Sequence, residues 1–188
     1  MADIFEEPSS FSPRVVGNEI LFFGEITEEN TLDFLDKFKT LENELLKKYV
    51  DNPLCKPSIK VIINSGGGDL FAGIAAMNIL QKARVKVITE VQGACCSAAT
   101  FLLLGGSHRQ MGKDAFILIH QISTGEFWGK FQELKNELKC CSTLMERVEC
   151  IYRGQTKIPD KIFKRMMKRD IYVDSVKSLK YRIIHEIV

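Results

Sequence analysis

Short β-branched runs alternate along the chain with longer stretches of helical spacing. Ile20–Phe23 is an apolar run closed by Gly24 and predicts a strand. Leu32, Leu35, Phe38, Leu41 and Leu45 then recur at helical spacing. They follow Thr27, a residue type that caps helices, and predict a helix from about Glu28 to Tyr49. Asp51-Asn52-Pro53 and Pro57 end it. Ile59–Ile63 reads as a buried strand, Asn64–Gly68 as a glycine turn, and Leu70–Gln81 as a second helix. Val85–Val91 predicts a third strand, Ser97–Leu104 a short apolar helix, and Ala115–Ile119 a fourth strand. Gly105–Lys113 reads as loop, and His120–Lys130 as extended or irregular. Phe131–Tyr152 is a long amphipathic helix pattern. A short helix follows Pro159, another starts at Asp174-Ser175, and the apolar end Ile183–Val188 closes the chain. Such β-α alternation predicts an α/β fold with a mostly parallel sheet.

Composition narrows this only slightly. The 188 residues are 45% hydrophobic and 27% charged, with a formal net charge of +2. That suits a loose leader over residues 1–18 and a single domain over 19–188. The small net charge and the lack of a basic, aromatic-rich stripe predict no nucleic-acid partner. The N-terminus carries Asp3, Glu6 and Glu7 where a secretory signal needs basic residues. No apolar run approaches the roughly 20 residues that span a bilayer. A soluble, cytoplasmic protein without a membrane partner is the expectation, a plastid stroma or a virus-infected cell being the other settings. The six cysteines are Cys55, Cys95, Cys96, Cys140, Cys141 and Cys150. Their spacing is not that of a CxxC zinc site, so reduced, mostly buried thiols and no metal are expected.

Three features carry candidate chemistry. Asn64-Ser65-Gly66-Gly67-Gly68 follows a strand, and its consecutive glycines leave backbone N–H groups open to an anion or oxyanion. It lacks the lysine and Ser/Thr of a phosphate-binding P-loop, and a plain strand-to-helix turn is the alternative. Gly93-Ala94-Cys95-Cys96-Ser97-Ala98-Ala99 sets a serine where a strand gives way to a helix. A simple N-cap serine is the bland alternative, and Cys96 is a second, weaker nucleophile candidate. His120 ends the strand Ile117-Leu118-Ile119. A serine needs a base, and a histidine base needs a carboxylate to fix its tautomer. Asp160, Asp170 and Asp174 all follow His120, and spacing leaves the choice among them open.

These pieces resemble a known family. Asn64–Gly68, Gly93-x-x-x-Ser97, Phe101-Leu102-Leu103-x-Gly105-Gly106, Ile119-His120-Gln121 and Lys168-Arg169-Asp170 occur in the order and near the spacing of ClpP, the proteolytic subunit of the Clp protease. The resemblance runs from about Ile20 to Val188. It implies a ClpP/crotonase-like spiral of β-β-α units with a protruding handle helix from Phe131 onward. By this resemblance Ser97 is the nucleophile, His120 the general base and Asp170 its orienting acid. Gly68 and Ala98 supply the oxyanion-hole N–H groups. Extended peptide substrate lies along Gly68-Asp69-Leu70 and Thr124-Gly125-Glu126, and Arg169 makes ring-to-ring contacts. The implied assembly is a homo-oligomer of two stacked heptameric rings, fed with unfolded proteins by an AAA+ unfoldase. No cofactor is implied.

The chain departs from that pattern at several points. Gly66 stands where the family has proline, and Ala98 where it has methionine. Lys60, Ile62 and Lys82 occupy aromatic positions of the unfoldase-docking pocket. The leader is short, 46–57 reads as an insertion, and Arg182 and His185 replace a glycine and an aspartate. A serine endopeptidase is the expected activity. The alternatives are a viral-type processing peptidase that works without an unfoldase, a crotonase-like acyl-CoA enzyme, and a silent ring scaffold.

Overall fold

Thr27 starts the first helix as its residue type predicts: its side chain accepts the Asn30 N–H at 3.0 Å. The helix, α1, spans Glu28–Tyr49 with Glu28 and Glu29 in its first turn and Lys47 and Lys48 in its last, each complementing the helix dipole. The computed structural model describes residues 11–50, 56–126 and 128–188. Residues 51–55, which hold Cys55 and the middle of the 46–57 stretch that reads as an insertion, lie outside that set.

The remaining elements, in order, are β1 (Arg14–Val16), β2 (Glu19–Phe23), β3 (Ser58–Ser65), α2 (Leu70–Leu80), β4 (Lys86–Cys96), α3 (Ala99–Leu104), β5 (His108–Met111) and β6 (Phe116–Leu118). The long α4 (Phe131–Gln155) follows, then α5 (Asp160–Met166), β7 (Tyr172–Asp174), α6 (Ser175–Lys180) and β8 (Glu186–Ile187). The sheet runs β1-β2-β3-β4-β5-β8, parallel except for the β1–β2 hairpin. On its side away from β3, the long β4 serves two neighbours: its first half pairs β5, and its second half pairs β6. Antiparallel β7 then adds to β6. The architecture is the mixed α/β fold expected, with a more mixed sheet than the α-β alternation implies.

Three predicted details change. Residues 14–16 form β1 within the stretch read as a loose leader. Gly105–Lys113 holds β5, which composition hides because one of its two buried positions is Arg109, the other being Met111. The strand read over Val85–Val91 runs on to Cys96, so the nucleophile candidate sits at a strand end and not inside a helix. The apolar stripe of α1 also turns on its axis. Leu32 is exposed, while Phe34, Phe38, Leu41 and Leu45 are buried. Phe22 and Phe34 meet edge to face at 5.6 Å between ring centres. Of the described cysteines, Cys95 and Cys96 are buried, but Cys140, Cys141 and Cys150 on α4 are not. This corrects the expectation of mostly buried thiols: α4 stands largely clear of the core, burying only Val148, Ile151 and Tyr152. Among the described residues, no helix is long and apolar enough to cross a membrane.

Candidate active site

The site is built where β3 and β4 lose register. Ile63 pairs Val91, but Ser65 pairs Cys95, so β4 carries extra residues over Gln92–Ala94. Asn64 fastens this bulge: its side-chain oxygen accepts the Ala94 N–H at 2.9 Å. Gly93 is needed there, since a Cβ would lie 2.5 Å from the same Asn64 oxygen. The bulge carries Cys96 and Ser97 up to the glycine turn that follows β3.

Ser97 occupies the turn between β4 and α3 with φ +53, a left-handed conformation rare for a residue with a side chain. Its N–H donates to the Leu118 carbonyl at 2.8 Å, extending the β4–β6 ladder by one bond. Its carbonyl accepts from the Thr100 N–H at 2.9 Å and the Thr100 hydroxyl at 2.6 Å. Thr100 in turn meets the Tyr152 hydroxyl at 2.5 Å. The N-cap reading of Ser97 is thereby corrected. The cap position is Ala98, and no side chain caps α3. The Ser97 hydroxyl makes no hydrogen bond among the described residues and is half-buried in the wall of a cavity of about 280 Å³.

Against Ser97 lies the turn Gly66–Gly68. Gly67 has φ +103 and Gly68 φ +141. A Cβ on Gly67 would come within 2.7 Å of Ser97 Cβ and of the Cys96 carbonyl. The Gly67 carbonyl accepts the Ile26 N–H at 2.8 Å, and the Asp69 N–H donates to the Ile26 carbonyl at 2.7 Å. These bonds pin the turn on both sides of Gly68. Among the described residues, the N–H groups of Gly68 and Ala98 have no acceptor, and both residues line the cavity. Open donors on a fixed turn suit a developing oxyanion.

His120 lines the same cavity, half-buried. Two residues further on, the chain is tied to α4 by the Ile122 N–H on Met145 Sδ at 3.3 Å. Register places the third group. Leu118 stands opposite Tyr172 at the end of the antiparallel β6–β7 pair, and the same register carried two positions past the strands would set His120 opposite Asp170. Cys96 stands beside Leu118 in the parallel β4–β6 pair, so Ser97 follows at the same end. Ser97, His120 and Asp170 thus leave three adjacent strands at one edge. Asp160 and Asp174 do not share this placement. Asp160 pairs with Arg153, and the Asp174 carboxylate caps α6 by accepting the Lys177 N–H at 2.8 Å. Asp170 itself is exposed and outside the cavity lining. No hydrogen bond joins Ser97, His120 and Asp170 among the described residues.

Asp69, Leu70 and Thr124 line the cavity, whereas Gly125 and Glu126 are exposed outside it. The Asp69 carboxylate is committed as the α2 cap, accepting the Ala72 N–H at 2.7 Å. Arg169 is exposed, beside Asp170. Burial pushes the Cys96 thiol up, which disfavours the thiolate that a cysteine nucleophile needs. Sequence reasoning missed two contributors, Thr100 and Tyr152. Nothing in their residue types marked them, because each acts through a contact made by distant chain.

A family model described as Clp protease matches residues 18–188. The chain belongs to the Clp protease family. It is similar to an ATP-dependent Clp protease proteolytic subunit of Deinococcus radiodurans, 27% identical over 93% of this chain and 82% of that protein. A subunit of the same name from Chara vulgaris is 25% identical over 91% of this chain and 75% of that one. Among solved structures, a ClpP1 point mutant from Listeria monocytogenes superposes with a TM-score of 0.75 over 91% of both chains at 22% identity. That likeness bears on the fold alone. For a Clp protease family member, the bulge, the Gly67 contact and the ladder bond at Ser97 are the local features that fix the candidate nucleophile.

Proposed function

We propose that this chain is a serine endopeptidase that cleaves peptide bonds through an acyl-enzyme on Ser97. The observation that carries the reading is the hydroxyl of Ser97, held at φ +53 on a strand end and sharing one cavity with His120 and the open N–H groups of Gly68 and Ala98. His120 takes the Ser97 proton as Oγ attacks the scissile carbonyl. The oxyanion accepts from the Gly68 and Ala98 N–H groups. The proton then passes from His120 to the leaving amine, and water, deprotonated by His120, hydrolyses the ester. Asp170 orients His120 through the facing strand position. The hydrogen bonds that complete such a constellation tighten when substrate binds. An extended peptide lies between the Gly68-Asp69-Leu70 edge and Thr124-Gly125-Glu126.

The assembly reading follows from α4. Phe131, Leu134 and Leu138 recur at helical spacing and are 72%, 45% and 69% exposed. Such an apolar stripe supports burial against a second copy of the chain, as in stacked heptameric rings, with Arg169 in ring contacts. Unfolded proteins delivered by an AAA+ unfoldase are the proposed substrates, in a cytoplasmic or plastid setting. Lys60, at an expected docking position, pairs with Glu90 at 2.9 Å, which favours a polar docking contact or none.

Fluorophosphonate labelling tests the chemistry. A single adduct on Ser97, lost in Ser97→Ala and slowed strongly in His120→Ala, is the expected result. No adduct in protein shown to be folded and assembled overturns the reading.

A further inference from the structure

Outside the candidate active site, β5 sends Arg109 into the protein. Its side chain is 5% exposed. Nε donates to the Ile183 carbonyl at 2.8 Å, and Nη2 donates to the carbonyls of Gln155 at 2.9 Å and Arg182 at 3.1 Å. These carbonyls offer partial charges only. Among the described residues, no carboxylate pairs with Arg109, Lys157 or Arg182. Burial lowers the Arg109 guanidinium to about 10, so it stays charged at neutral pH. A buried cation without a countercharge is costly, and proteins normally pair it.

The same three cationic residues line one cavity of about 400 Å³, together with His185 and Thr156. His185 Nδ1 accepts the Arg109 backbone N–H at 3.1 Å, which leaves Nε2 as the nitrogen that carries hydrogen in the neutral ring. Arg182 adds a second, independent signal. It follows α6 at the C′ position of a Schellman turn, with its N–H on Leu179 O at 3.0 Å and the Ile183 N–H on Ser178 O at 2.9 Å. That position favours glycine, yet a long cation stands there at φ +52. Strain of this kind persists only where the surrounding structure holds it, and it clusters at functional sites.

We propose that this cavity binds a diphosphate-class oxyanion, with Arg109 as its buried countercharge and Lys157 and Arg182 as its rim. Arginine forks and lysine match the many acceptor oxygens of such a group. The volume exceeds the share of about ten waters at about 30 Å³ each, so it admits more than a single halide. Free pyrophosphate and the diphosphate of a nucleotide present the same oxygens.

Calorimetric titration of the full chain with inorganic pyrophosphate, ADP and adenosine distinguishes them, with sodium chloride at matched ionic strength as the control. Pyrophosphate binding at one saturable site is expected, weakened by about tenfold or more in Arg182→Gly and in Lys157→Ala. Glycine relieves the backbone at 182 and Lys157 is exposed, so both variants should fold, and their unliganded Tm checks this. ADP that binds with the same sensitivity, while adenosine does not, supports a nucleotide source. Pyrophosphate alone supports the free anion. No saturable binding at millimolar pyrophosphate, binding unchanged in both variants, or a heat matched by chloride overturns the site.

Discussion

Gly67→Ala isolates the contact between the glycine turn and the candidate nucleophile. The added Cβ would stand 2.7 Å from both Ser97 Cβ and the Cys96 carbonyl, against the 3.4 Å at which ordinary contact begins, so the two segments must part by about 0.7 Å. Neither neighbour is the free end of a flexible side chain. Cys96 is fixed in β4, and Ser97 is held by Leu118 and Thr100. The backbone at φ +103 adds strain of about 1–3 kcal/mol for a residue with a Cβ. In a domain of this size that lowers Tm by about 2–12 °C. Displacing Oγ from the Gly68 and Ala98 donors by a large fraction of an ångström should cost about 10- to 100-fold in rate. The assay is the second-order rate constant for fluorophosphonate labelling, measured beside a thermal melt. Gly66→Ala is the control, because a Cβ there meets nothing within 4 Å. Wild-type labelling and an unchanged Tm in Gly67→Ala would refute the reasoning outright.

Thr100→Val should cost about 1–3 kcal/mol in urea unfolding, since it leaves the buried Tyr152 hydroxyl unpartnered. Adding Tyr152→Phe should recover much of the loss, because both partners are then apolar. Glu42 tests pH dependence. Burial pushes its carboxyl up, but Lys39 at 2.9 Å and the Arg84 N–H at 2.5 Å outweigh that and hold it below its ordinary value. A depressed pKa contributes stability above the unfolded value and loses it as pH falls through the folded one. Glu42→Gln should therefore lower Tm at pH 7, with the gap closing below about pH 4; a gap that widens in acid refutes the assignment. Phe34→Ala, at a fully buried site edge-on to Phe22, should destabilise by about 3–5 kcal/mol in the same urea assay. A loss under 1 kcal/mol would mean that the α1 stripe is set by other residues.

Where the chain's local signals and its tertiary contacts agree, the sequence is easily read. Thr27, the acidic first turn and the basic last turn mark both ends of α1 without help from elsewhere. Asp174 caps α6 for the same local reason. Reading fails where burial contradicts residue type. Leu32 looks like core and is exposed, while Arg109 looks like surface and is buried. With Arg109 went β5, because a four-residue strand with a guanidinium at one of its two inward positions leaves Met111 alone, too little for an apolar alternation. The site divides along the same line. Ser97, His120 and the glycine turn announce themselves by type and order. What aligns them is register, and register is not local. An extra few residues in β4 over Gln92–Ala94 decide that Ser97 meets Gly67. The parallel pairing of β4 with β6 and the antiparallel pairing of β6 with β7 decide that Ser97, His120 and Asp170 all follow or precede their strands at the same end of the sheet. Spacing along the chain leaves Asp160, Asp170 and Asp174 open. Strand pairing separates them, because the antiparallel step across β6 and β7 counts backward from Tyr172 as the chain counts forward from Leu118. A slip of one residue in that pair would turn the Asp170 side chain to the opposite face of the sheet. The β6–β7 register, held by only three residue pairs, is therefore as much a part of the candidate triad as the side chains themselves.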